Sequence, residues 1–144
     1  MSKCMAPSFA EWLECHHVFY TLCVSDDVIC AGNLRQYVAK IAEYVNRCPD
    51  AWGVIYQADV RTRLEHAPRV LEKCIDQHAK AIRQNWDSDF DPLRPWDEVW
   101  RRIIHEESDW WFSVIEIPSK HWFLHMLSNL LRPSLLAVTL CLVL

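Results

Sequence analysis

The sequence predicts an all-α domain, a small irregular bundle of four to five helices with one long helix kinked at a proline. Three observations carry that expectation. Apolar residues return every three or four positions along most of the chain, which places them on one side of a helix. Glycine occurs only 2 times, and hairpins, phosphate-cradling loops and dinucleotide fingerprints all depend on glycine. With 51% hydrophobic and 12% aromatic residues among 144, there is apolar surface enough for the core of one domain, far more than a disordered chain carries.

The first helix is expected over residues 8 to 24. Ser8 and Glu11 form a capping-box pair, and Phe9, Trp12, Leu13, His16, Phe19, Tyr20 and Cys23 follow at helical spacing. A second helix takes Asn33 as its N-cap. Leu34, Tyr37, Val38, Ile41, Val45 and Cys48 make its apolar stripe, opposite Arg35, Gln36, Lys40, Glu43 and Arg47, and Pro49 ends it. From the cap candidate Asp50, a third stripe runs through Trp52, Ile55, Tyr56, Val60, Leu64, Leu71, Cys74, Ile75, Ile82 and Trp86. It reads as one helix whose phase survives a kink at Pro68, where a backbone donor is missing.

Residues 85 to 95, NWDSDFDPLRP, have the Asp, Ser and Pro content of a loop. A helix starting near Pro95 then gathers Trp96, Trp100, Ile103, Ile104, Trp111, Val114 and Ile115 on one side. Most tryptophans of this stretch therefore belong to the core. Trp110, off the centre of the stripe, is the ring expected to be exposed and to anchor a protein interface. The expected core is Trp12, Phe19, Tyr37, Ile41, Val45, Trp52, Tyr56, Leu64, Trp100, Ile104 and Trp111. These belong to a helical domain over residues 1–118, followed by an apolar C-terminal tail or helix over 119–144.

Net charge is -4, with an asymmetry beneath it. Residues 31–83 hold nine Lys/Arg against six Asp/Glu, whereas 1–30 hold one against four and 84–144 five against nine. Arg61, Arg69, Lys73, Lys80 and Arg83 are the candidate contacts to nucleic-acid phosphates. Asp59, Glu65, Glu72 and Asp76 interleave with them, the alternative being a solvated face of helical ion pairs.

Cys15, His16, His17, Cys23 and Cys30 are ligand types that zinc prefers, but they lack the paired two-to-four-residue spacing that presents two ligands from one turn. No metal, cofactor or catalytic residue is therefore expected, and no enzyme. The seven cysteines are odd in number without the dense spacing of a disulfide scaffold, and MSKCMAPSFAEWLE lacks the apolar run of a signal peptide. An intracellular chain, cytoplasmic or nuclear, with reduced thiols is expected.

The 11 residues from Ser134 to Leu144, SLLAVTLCLVL, carry no charge. They cover about half of a bilayer core, and Arg132 beside Pro133 separates them from the preceding apolar run at a cost on the order of 3 kcal/mol to insert. Self-association through this tail is the reading adopted, with docking on the domain and membrane anchoring as alternatives.

Residues 51–65, AWGVIYQADVRTRLE, preceded by Leu34-Arg35-Gln36-Tyr37-Val38 and followed by Pro95-Trp96-Asp97-Glu98-Val99-Trp100, resemble a helical segment of protist retroelement-related polyproteins. The resemblance covers residues 33–116 and includes no catalytic residue. It implies a non-catalytic helical module of a mobile-element protein, one that assembles or contacts nucleic acid. The expected function is accordingly a helical interaction or assembly module that binds a protein partner or itself. The alternative is a nucleic-acid-binding accessory segment of a retroelement-like protein.

Overall fold

A computed structural model describes residues 6–141, with side chains from 6 to 129. It is all-α, and no strand occurs among the described residues. The helices are α1 (Phe9–Ser25), α2 (Ala31–Arg47), α3 (Trp52–Arg61), α4 (Ala67–Arg83), α5 (Pro95–His105), α6 (Ser108–Trp111) and α7 (Ile117–Cys141). A 3-10 turn, Pro49–Ala51, leads into α3. Two π turns, Thr62–His66 and Phe112–Glu116, weld α3 to α4 and α6 to α7, so the seven segments form five continuous rods.

Local chemistry explains most of the ends. Ser8 caps α1 as expected: its hydroxyl accepts from the Glu11 amide at 3.3 Å, while the Glu11 carboxylate accepts from the Ser8 amide at 2.7 Å. Asp27 and Asn85 close α1 and α4 in the left-handed region, each at φ 55. Behind them, Val28 donates to the Cys23 carbonyl at 2.9 Å and Trp86 to that of Ala81 at 2.9 Å, the six-to-one bond of a Schellman cap. Asp and Asn do here what glycine does elsewhere. The start of α2 falls earlier than Asn33, at N-cap Cys30, whose amide donates to an Asp97 carboxylate oxygen, and Asn33 instead donates from its side chain to the Asp97 carbonyl at 3.0 Å.

The expected kink at Pro68 is a π turn. Ala67 donates to the Thr62 carbonyl five residues back, and Ile117 donates to Phe112 in the same way. Pro68 and Pro118 come next. A proline has no N–H and its ring presses on the carbonyl four residues earlier, so inserting one extra residue in that turn relieves both faults. The inserted residue also rotates everything downstream by about 100°. Upstream, Ile55, Ala58, Asp59 and Thr62 are buried; downstream, His66, Ala67, Val70, Cys74 and Ala81 are. The phase therefore does not survive, and Leu64 (73% exposed), Ile75, Ile82 and Trp86 face outward.

The core centres on Tyr37, Trp100 and Trp111, with Tyr37 edge-on to Trp100 at 4.8 Å between ring centres and Tyr44 stacked on Trp111 at 6.1 Å. Trp100, Ile103, Ile104, Trp111, Val114 and Ile115 are buried as the stripe predicted, and Trp96 is half-buried. The helix itself breaks at Glu106-Glu107, and the break leaves the Ile103 carbonyl free to accept from the Trp111 indole at 2.7 Å. Of the expected core, Phe19 (40%) and Leu64 are exposed, and Val45, Trp52 and Tyr56 are half-buried.

Candidate interaction surface

A buried carboxylate on α3 ties α1 and α2 to the α3–α4 rod. Asp59, 0% exposed, accepts from the Trp12 indole at 2.9 Å, the Tyr37 hydroxyl at 2.6 Å and the Arg63 guanidinium at 2.6 Å. Burial, then the Asp59 charge, push the Tyr37 hydroxyl well above its ordinary value, so it stays a donor. Sequence reading placed Asp59 on a solvated face, because apolar periodicity assigns every carboxylate outward. The available signal was the count of 8 tryptophans and 4 tyrosines, whose N–H and O–H groups need acceptors once buried.

Trp110 is half-buried rather than a free anchor. Its indole donates to the Thr62 hydroxyl at 2.8 Å, its ring stacks on His66 at 4.1 Å, and the Arg61 guanidinium lies 5.3 Å above it. Trp110 thereby bridges the two π-turn rods. Arg61 also pairs with Glu65 at 3.3 Å, on the segment before the π turn and apart from the cations of α4.

Arg69, Lys73, Lys80 and Arg83 do share a face. They lie at i, i+4, i+11 and i+14 along α4, all exposed, to one side of the buried Val70 and Cys74. Among the described residues none of these four is in an ion pair, although Glu72 and Asp76 share the exposed surface of the helix. The ion-paired face expected as the alternative does not form around them.

The largest departure from a closed bundle is α7. Its first residues follow the buried Val114 and Ile115, and Ser119 is still buried, but His121 and residues 123–129 are exposed. Phe123 (58%), Leu124 (63%), Met126 and Leu127 stand in solvent on it. A groove of about 370 Å³ opens at its root, between Tyr44, Cys48 and Pro49 on one wall and Ile115, Trp122 and Phe123 on the other. Residues 134–144, on which self-association was expected, lie outside the residues whose side chains are described.

The outer side of α1 is also apolar. Its inner side presents Trp12 and His16 to the core, while Val18 (61%), Phe19 and Leu22 (60%) are exposed. His16 stacks on Tyr37 at 6.0 Å, and burial holds it below its ordinary pKa, with Asp59 opposing and Arg63 adding to the effect. Among the described residues no group of His, Cys, Asp and Glu is arranged to hold a metal ion. Nor is any helix there long and apolar enough to cross a membrane. Compared with family models, curated proteins and solved structures, the chain gives no match.

Proposed function

We propose that this chain is a non-enzymatic helical assembly module whose contact surface is the outer face of α7. One observation carries the reading: a helix of 25 residues leaves the bundle with Phe123, Leu124, Met126 and Leu127 uncovered. A helix standing in water without tertiary packing is marginal, and apolar side chains on it gain roughly 25 cal/mol for each Å² covered by a partner. The thiols of Cys15, Cys23, Cys30, Cys48 and Cys74 are free, which suits a reducing intracellular compartment. Sedimentation of the full chain against Leu124→Gln/Leu127→Gln tests the reading. Wild type should run above its monomer mass of 17.0 kDa and the variant at it, with helical circular dichroism unchanged. An unchanged assembly in the variant would remove α7 as the contact.

A second reading, a nucleic-acid-binding accessory segment of a retroelement-like protein, rests on the unpaired stripe Arg69, Lys73, Lys80 and Arg83. Each phosphate neutralised releases counterion, so binding to a labelled RNA or DNA should be present at about 50 mM salt and fall steeply by about 200 mM. Alanine at all four positions should flatten that dependence. No binding at the lower salt rejects it.

A further inference from the structure

We infer that the occupant of the α7 face is α1 of a second copy of this chain, in a head-to-tail contact. The inference rests on the assembly reading above and adds the partner and its docking surface.

Two unpartnered apolar helix faces occur in the same molecule, and their charges are opposite. On α7, Ile117, Lys120, Leu124 and Leu127 follow one another at i, i+3, i+7 and i+10, with Phe123 beside them, all exposed. From Ile117 onward the chain carries Lys120 and Arg132 and no Asp or Glu. On α1, Glu11, Cys15, Val18 and Leu22 follow at i, i+4, i+7 and i+11, with Phe19 and Glu14 alongside, again all exposed. That helix has no Lys or Arg.

Charge decides between the pairings. Two α7 faces together would bring only cations into a seam being stripped of water, and two α1 faces only carboxylates; like charges at such a seam are unfavourable. Only α7 on α1 sets Lys120 against Glu11 and Glu14 while covering Leu124 and Leu127 with Val18, Phe19 and Leu22. Both faces are exposed in one copy, so they do not cover each other within it. A contact between unlike patches is heterologous, and it propagates into a chain or closes into a ring.

Two double variants test this by complementation. Val18→Gln/Leu22→Gln spoils the α1 face and Leu124→Gln/Leu127→Gln the α7 face. All four positions are exposed and glutamine is a good helix former, so circular dichroism should report an intact fold in each. Each variant alone lacks one half of the contact and should sediment as monomer. Mixed one to one, the intact α7 of the first should seat on the intact α1 of the second, giving a dimer of twice 17.0 kDa that grows no further with concentration. Should the α1 variant assemble like wild type while the α7 variant does not, the α7 reading stands and the head-to-tail contact is overturned. Wild type that stays monomeric at the highest attainable concentration overturns it as well.

Discussion

The two rods that carry a π turn use one device to opposite ends. In each, a five-residue turn precedes a proline and rotates the downstream helix. After Pro68 the helix stays on the bundle; after Pro118 it leaves. The difference lies in the residues beyond each proline. Downstream of Pro68, Val70 and Cys74 face inward while Arg69, Glu72, Lys73 and Asp76 face outward, so one orientation buries apolar atoms and strands no charge. Downstream of Ser119, Trp122, Phe123, Leu124, Met126 and Leu127 spread over about 200° of the helix surface, too wide for one orientation on the bundle to cover them all. A π turn sets phase, and the sequence after it sets whether the bundle itself can cover the apolar side chains.

The first rod is also locked by Asp59, which the second has no counterpart for on α7. Asp59→Ala should therefore be among the most damaging changes, about 3–5 kcal/mol, because it leaves the Trp12 N–H and Tyr37 O–H buried without an acceptor and Arg63 without its counter-charge. Chemical denaturation measures it, and a loss under about 1 kcal/mol would mean that the carboxylate is incidental. Trp111→Ala, upstream of the second π turn, should cost roughly 3–5 kcal/mol, and half-buried Trp110→Ala distinctly less. Equal costs would erase the distinction between a ring in the core and a ring that bridges rods.

Acid should weaken the bridge. Burial holds His66 below its ordinary 6.5; the Glu107 carboxylate, 3.1 Å away, opposes that, and Lys73 and Arg69 add to it. A base depressed in the folded state takes up its proton first when unfolded, so its contribution is present at neutral pH and is lost as pH falls below about 6.5. His16 acts in the same direction. His66→Phe, which keeps a ring against Trp110, should shrink the drop in stability between about pH 7 and 5. An unchanged slope would assign the acid sensitivity elsewhere. Glu98 comes later: hydrogen bonding by Arg101 first, and by Arg102, lowers it to about 2, so its share fades only as pH falls from about 4.5 toward that value. The smallest effect belongs to α7 itself, where Leu124→Gln/Leu127→Gln should change monomer stability by less than about 0.5 kcal/mol while changing assembly.

The capping box at Ser8, the stop at Pro49, the start at Pro95 and the buried stripe from Trp100 to Ile115 were legible because each rests on local chemistry or a clean period. The phase of α4 was not legible. Nothing in TRLEHAP distinguishes a kink from an inserted residue, and Leu64 within the turn and Ile75 and Ile82 beyond it, all placed on the apolar stripe, are exposed. Asp59 escaped for a related reason, since two of its three partners come from residues 22 and 47 positions away. On the surface, the spacing of Arg69, Lys73, Lys80 and Arg83 made their shared exposed side of α4 legible, whereas the contacts of Arg61 with Trp110 and Glu65 were not. The exposed face of α1 was hidden by its composition. Phe19 reads as core, and Leu13 as part of its stripe, when apolar residues surround the helix on most sides.

Amide hydrogen exchange followed against protein concentration tests the contrast between the rods most directly. Amides of α4 should be protected to the same degree at every concentration, because that helix packs on its own bundle. Those of residues 120–129 should exchange fast when dilute and slow as concentration rises, because their cover is supplied by another molecule. If residues 120–129 prove as protected as α4 in dilute solution, α7 is held by its own chain and the account is wrong.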